Sequence, residues 1–346
     1  MATAVDQLAA IAAADEFKPR RFLRNGHLQT ILGNYLPRVD RLPVAVPQLV
    51  EVERAEDKRI SSQVLCHCHF QPAEVRASRP AAIIVHGLEG SSNSQYVVGN
   101  ANKLWSAGCS VIRMNMRNCG GTERLSPTLY NSGMSGDVGA VMRFFIAQQG
   151  FRSVSLIGYS MGGNLVLKHA GELGKDAPVE LRSVVGVSPA IDLGPSADAL
   201  HEPLNRIYEL KFLRSLTERY RRKAALFPKL YDAARADGLR SLRDFDERVT
   251  AFYAGFAGAS DYYHRAAAAR VMDQIAVPTL ILHALDDPFV RMTAASCEAI
   301  KANPCITLVE TAHGGHCAFL ADADPAQGDD GYWAESKLLH FLLAHA

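Results

Sequence analysis

Short runs rich in Val and Ile alternate with longer stretches of helical period along most of this 346-residue chain. Residues 81–86 form such a run, and a helical pattern over 96–107 follows. The run 110–115 precedes a helical stretch at 136–149, and 153–158 leads straight into 161–173. Runs at 183–187, 279–283 and 305–310 continue the series, and a last helix is expected over 333–345. Strands apolar on both faces and separated by helices build a parallel sheet covered on both sides. Residues 44–53 and 63–70 read as an antiparallel pair ahead of it. The expected class is therefore α/β, with a mostly parallel central sheet and helices on both faces.

One stretch breaks the rhythm. Residues 192–270 are mostly helical in pattern and rich in charges and aromatics, and they fall between two core strands. They read as a helical lid inserted over the C-terminal edge of the sheet. The expected division is an N-terminal extension at 1–42, a core made of 43–191 and 271–346, and the lid at 192–270.

The sharpest local signal is Gly158-Tyr159-Ser160-Met161-Gly162-Gly163, between an apolar strand and a helix. A serine on so tight a turn sits at unfavourable dihedrals, and glycines on both sides remove the Cβ atoms that would clash. Its Oγ is held clear of the backbone, and the following helix N-terminus directs free N–H groups at developing negative charge. Ser160 is the expected nucleophile. His86-Gly87-Leu88-Glu89-Gly90 follows the strand at 81–86, where this architecture supplies one oxyanion donor; the other comes from the residue after the nucleophile. The N–H groups of Leu88 and Met161 are assigned to that role.

The acid and the base are expected in that order after the serine. Leu285-Asp286-Asp287-Pro288 ends the strand that follows the insertion. Spacing favours Asp287 over Asp286, although either could cap the next helix. Thr311-Ala312-His313-Gly314-Gly315-His316 lies after the final strand. The two glycines give His316 freedom to reach the serine, whereas His313 sits nearer the strand end and suits a structural bond. In this assignment Asp287 fixes the tautomer of His316 and stabilises its imidazolium.

These segments resemble the YheT-like branch of the α/β-hydrolases, whose relatives include mammalian abhydrolase-domain and plant embryogenesis-associated proteins. The resemblance covers nearly the whole chain. It rests on Arg24-Asn25-Gly26-His27-Leu28-Gln29-Thr30, His86–Gly90, Arg117-Asn118-Cys119-Gly120-Gly121-Thr122 and the nucleophile elbow Gly158–Gly163. It continues in Phe245-Asp246-Glu247, Gly255-Phe256, Asp261-Tyr262-Tyr263, Asp286-Asp287-Pro288 and Gly314-Gly315-His316. It implies an α/β-hydrolase fold and Ser160, Asp287 and His316 as charge-relay residues. It further implies a carboxylesterase-like or lipid acyl hydrolase activity without metal or other cofactor. Membrane-anchored relatives carry an N-terminal apolar helix that this sequence lacks, so their phospholipid substrates do not transfer with the resemblance. An acyltransferase would use the same residues, and a silent binding protein could keep the fold alone.

The remaining features narrow the partners. A net charge of +1 argues against a nucleic-acid partner, which requires a broad basic surface. No run of about 18 apolar residues occurs, so no transmembrane helix is expected. The Ala-rich start at 1–16 lacks the basic end of a signal peptide, which points to a cytoplasmic protein. Seven cysteines at no paired spacing read as reduced thiols. Cys66-His67-Cys68-His69 splits across the two faces of a strand and cannot surround one ion, and neither Cys119 nor Cys317 lies on an elbow. Lys211, Arg214, Arg219, Arg221, Arg222, Lys223 and Lys229 enrich the lid in positive charge. That stretch reads as a solvated face, or as a peripheral contact for anionic headgroups. The lid aromatics Phe212 and Phe252 are candidates to line the pocket for a small-molecule or lipid ester.

Overall fold

The computed structural model describes residues 17–54, 61–324, 326 and 329–346. The Ala-rich stretch 1–16 lies outside the described residues. Eight strands form one sheet: β1 (Val46–Glu53), β2 (Ser62–His69), β3 (Ala81–Val85), β4 (Ser110–Met114), β5 (Val154–Tyr159), β6 (Leu181–Val187), β7 (Thr279–Ala284) and β8 (Ile306–Thr311). Their order is β1-β2-β4-β3-β5-β6-β7-β8. β1 pairs antiparallel with β2 and β2 with β4, and every later pairing is parallel. The expected antiparallel pair followed by a parallel series is what forms.

The apolar runs explain the placement. Every residue of β3, β4, β5 and β7 is buried, as strands covered on both faces must be. The edge strand β1 instead leaves half or more of its residues exposed. On β2, Cys66 and Cys68 enter the core of one sheet face. His67 turns to Ser92 Oγ at 2.7 Å, and His69 lies edge-on to Trp105 on the other face. The four side chains of that run therefore do not converge.

Helices α1 (Gly26–Tyr35), α2 (Gln95–Ser106), α3 (Ser135–Gln149) and α4 (Met161–Leu173) precede the insertion. α2 covers one face of the sheet, through Val97, Ala101 and Leu104, together with the C-terminal helix at Trp333–Ala344. α3 and α4 cover the other through Val138, Val141, Phe145, Leu165 and Val166. Between β6 and β7 run α5 (Leu193–His201), α6 (Arg206–Leu226) and α7 (Ala259–Ala266), with a π-helical turn at Asp246–Ala251. They stand over the end of the sheet where β3, β5 and β7 finish.

Candidate active site

The turn between β5 and α4 sets the geometry. Ser160 has φ 53° and ψ −118°, a left-handed backbone state that costs a non-glycine residue on the order of 1–3 kcal/mol. Its surroundings impose that state. A Cβ at Gly158 would overlap the Gly162 carbonyl, and one at Gly162 would overlap the carbonyls of Val85 and His86. Only glycine lets β3, β5 and α4 approach so closely there. Ser160 N–H donates to Val187 O at 2.9 Å and its carbonyl accepts from Asn164 N–H at 3.1 Å.

The loop after β3 lies against this serine, for a Cβ on Gly87 would stand 3.1 Å from Ser160 Cβ. His86 anchors the loop. It is fully buried, and burial drives its pKa down to about 4, so the ring is neutral. Its Nε2 accepts from Met116 N–H at 3.1 Å, which puts the proton on Nδ1, 2.8 Å from Gly87 O. Gly87 N–H donates to Tyr96 Oη at 2.8 Å and Glu89 N–H points to Tyr130 Oη at 3.3 Å. Among the described residues no acceptor takes the N–H of Leu88 or of Met161. Both residues line the cavity that Ser160 faces.

On the far side of the elbow, His316 Nδ1 lies 2.8 Å from Asp287 Oδ2. The other oxygen, Asp287 Oδ1, accepts from Phe289 N–H at 3.1 Å and Val290 N–H at 2.9 Å. Asp287 is buried. Burial alone would raise its pKa, but the His316 charge and these hydrogen bonds hold it below the ordinary carboxylate value. Burial alone would likewise lower the pKa of His316. The Asp287 carboxylate outweighs it and keeps the imidazole well above its ordinary value. The two shifts have the signs that one tight pair requires.

The competing residues are placed elsewhere. Asp286 Oδ1 accepts from Gly315 N–H at 2.8 Å, and His313 Nδ1 stands 3.4 Å from Asp286 Oδ2. This second pair braces the two loops outside the first. The elbow and the His316 loop meet at the end of β6, where Val187 O takes Ser160 N–H and Ser188 Oγ takes Cys317 N–H at 3.0 Å. His316 also packs on Phe289 at 4.4 Å between ring centroids, and Phe289 lines the same cavity as Ser160.

That cavity, of about 1000 Å³ including its mouth, runs between the sheet end and the insertion. Leu88, Met161 and Phe289 come from the core; Leu193, Phe212 and Leu216 come from the insertion. Of the two aromatics expected there, Phe212 is present, edge-on to Phe289 at 6.2 Å. Phe252 is not. It is 54% exposed and lies under the Arg235 guanidinium, 3.3 Å from the ring centroid. It follows the π-helical turn at Asp246–Ala251 and packs edge-on against Tyr253.

The basic stretch also departs from the sequence reading of a solvated face. Arg219 is buried and its Nε donates to Glu89 Oε1 at 2.8 Å, while its Nη1 reaches Asn118 O. Ser215 Oγ donates to Glu89 as well, and Tyr130 Oη does so at 2.6 Å. Glu89 thus ties the loop carrying Leu88 to helix α6. Lys223 is buried and donates to the carbonyls of Glu123 and Ser126. Arg214, Arg221 and Arg222 remain at the surface beside Glu218, Asp237 and Glu123.

Other partners escaped sequence reasoning. Arg117 is held by Asp137 at 2.7 and 2.6 Å and by Glu53 at 2.5 Å. Asn164 binds Ser132 O, Ala266 O and Ala268 N–H, tying α4 to the end of the insertion. Cys119 is buried with its thiol pushed up to about 12 by burial, as suits an inert side chain.

The architecture and the converging loops define an α/β-hydrolase, and the sequence matches the α/β hydrolase fold family over residues 80–323. Within that fold the chain belongs to the family of the putative esterase YheT of Escherichia coli (strain K12). The two are 30% identical over 96% of this chain and 95% of that protein. It is also 29% identical to the mouse (Mus musculus) phospholipase ABHD3, over 72% of this chain and 61% of that protein. To a monoacylglycerol lipase of Saccharomyces cerevisiae it is 27% identical, over 77% of this chain and 59% of that protein. Among solved structures, the Pyrococcus furiosus esterase Pf2001 shares the fold with a TM-score of 0.53 at 14% identity, covering 87% of this chain and 92% of that one. The chain is an esterase- or lipase-like enzyme of the α/β-hydrolase family. No helix among the described residues is long and apolar enough to cross a membrane.

Proposed function

We propose that the protein is a serine carboxylic ester hydrolase acting through an acyl-enzyme on Ser160, with His316 as general base and Asp287 as the orienting acid. The observation that carries this reading is the 2.8 Å bond from His316 Nδ1 to the buried Asp287, on loops that meet the strained Ser160 turn. Because Nδ1 carries the proton given to Asp287, Nε2 is free to accept one from Ser160. Ser160 Oγ attacks the ester carbonyl carbon as its proton passes to His316 Nε2. The tetrahedral oxyanion is taken by the N–H groups of Leu88 and Met161, each worth about 3–4 kcal/mol. Collapse expels the alcohol, which leaves with the proton from His316. Water then attacks the acyl-enzyme, with His316 again as base.

The apolar cavity beside Ser160 fits the acyl chain, and residues 192–270 act as a lid over it. Phe212 and Leu216 of that lid face the chain. The distribution of partners around Arg219 and Lys223 removes two cations from the surface proposed for anionic headgroups, which favours ester access through the cavity over binding by the basic stretch. A panel of p-nitrophenyl esters of graded chain length, with glycerolipids and phospholipids alongside, tests the substrate class. Turnover that vanishes in Ser160→Ala supports the reading; turnover retained above about a tenth contradicts it, since losing a nucleophile costs orders of magnitude.

A further inference from the structure

We infer that helix α1 is a positioning element of the reaction centre: Thr30, with Gly26 and Gln29, holds the His316 loop against the Asp286–Asp287 turn. The inference rests on the reading of His316 as base and assigns a role to the Asn25–Thr30 segment.

The loop that carries His316 has little intrinsic order. Gly314 has φ 143° and Gly315 φ 58°, states open chiefly to glycine, and no helix or strand spans Gly314 to Ala318. Its register must be fixed from outside. His316 N–H donates to Thr30 Oγ1 at 2.8 Å, across 286 residues of sequence. Thr30 Oγ1 itself donates to Gly26 O at 2.7 Å, so the direction of its proton is set and its lone pair is left for His316. Thr30 therefore binds the main chain of the base.

Two further contacts make the grip two-sided. A Cβ on Gly26 would overlap the Asp286 carbonyl, so α1 starts flush against the turn bearing the acid. A Cβ on Gly315 would overlap Gly26 O, so the same glycine also sits flush against the loop bearing the base. Gln29, fully buried, donates from Nε2 to Leu320 O at 3.0 Å and accepts Leu320 N–H through Oε1 at 2.8 Å. That pins the loop four residues beyond His316. The local sequence produces this grip. Asn25 caps the helix by accepting Leu28 N–H at 3.1 Å, and the i, i+4 spacing brings Gly26 and Thr30 to one face.

The test uses the full chain and a short p-nitrophenyl ester. Thr30→Val keeps the shape of the side chain and leaves His316 N–H without its acceptor. Displacements of about an ångström at a reacting group lower rates by up to about 100-fold. We expect kcat to fall roughly 10- to 100-fold with KM within about twofold, because the loss lies in alignment rather than binding. The acid limb of the rate profile should also move to lower pH, since a loosened His316 loses part of the Asp287 charge that raises its pKa. Thr30→Ser, which keeps the hydroxyl, should restore both kcat and the limb. If Thr30→Val does not fold, Thr30→Cys replaces it, with a weak sulfur acceptor in nearly the same volume and the same expected split. A wild-type kcat and limb in the folded variant would overturn the inference, as would equal damage in Thr30→Ser, whatever the melting temperatures. Ser160→Ala is run beside them. Activity surviving there overturns the hydrolase reading itself, whereas a dead Ser160→Ala beside an unaffected Thr30→Val overturns only the role of α1.

Discussion

Replacing Asp287 by asparagine tests the geometry most selectively. The two oxygens of Asp287 are committed to different partners. Oδ1 accepts from Phe289 N–H and Val290 N–H, and Oδ2 faces His316 Nδ1 at 2.8 Å. In the amide only one oxygen remains, and two backbone donors compete with one imidazole for it. Turning that oxygen to His316 would aim the NH2 group at two N–H donors and leave them unpaired in a buried site. Each such loss costs about 1–3 kcal/mol. The oxygen therefore stays on the backbone and the NH2 faces His316. Nδ1 must then accept, the ring proton moves to Nε2, and Nε2 can no longer take the proton of Ser160. A serine hydrolase with the wrong tautomer loses on the order of 10⁴ in kcat, about 5 kcal/mol of barrier. Asp286→Asn keeps an oxygen for Gly315 N–H and should stay within about tenfold of wild type, since its 3.4 Å approach to His313 lies outside the Asp287–His316 pair. The assay is kcat on a short p-nitrophenyl ester, with melting curves to establish folding. A loss below about tenfold in Asp287→Asn, or a larger loss in Asp286→Asn, would refute the tautomer argument.

Three further outcomes follow from the same structure. Asp287 holds the His316 pKa above its ordinary value of 6.5, and in the proposed mechanism only neutral imidazole can accept the Ser160 proton. The rate should therefore be full above that raised pKa and fall as pH drops through it, so kcat/KM profiles should place the acid midpoint above 6.5; a midpoint below it would contradict this electrostatic account. Phe212→Ala should change the preferred acyl chain length, whereas Phe252→Ala, an exposed ring, should leave it unchanged; the ester panel would show the error if the two behaved alike. Arg117→Leu leaves Asp137 buried without its bidentate partner and should cost roughly 3–5 kcal/mol in urea unfolding, against which a loss under about 1 kcal/mol would speak.

The parts of the fold that were legible in the sequence were those written in local pattern. Strands β3, β4, β5 and β7 read directly because burial on both faces makes them largely apolar runs. The Ser160 turn read directly because its glycines are required by atoms within a few residues or on the next strand. What was not legible depends on partners distant in the chain. Arg219 and Lys223 look like neighbours of Arg221 and Arg222 on a charged helix. They turn inward because Glu89 and the carbonyls of Glu123 and Ser126 come from about a hundred residues upstream. Phe212 and Phe252 have the same chemistry, and only their places in the folded chain separate them: Phe212 meets Phe289 at the cavity, whereas Phe252 lies exposed under Arg235. Asp286 and Asp287 are adjacent, and they are separated by which oxygen meets which loop. The Asn25–Thr30 segment could be recognised as distinctive, but its contact with His316 exists only in the folded chain.

In the proposed mechanism Ser160 is the residue that becomes acylated. Treating the purified protein with a fluorophosphonate, then measuring intact mass and mapping the labelled peptide, tests it most directly. One adduct is expected, carried by Ser160, absent in Ser160→Ala and formed far more slowly in His316→Ala. Unlabelled wild-type protein that is folded, or an adduct on any other residue, would contradict it.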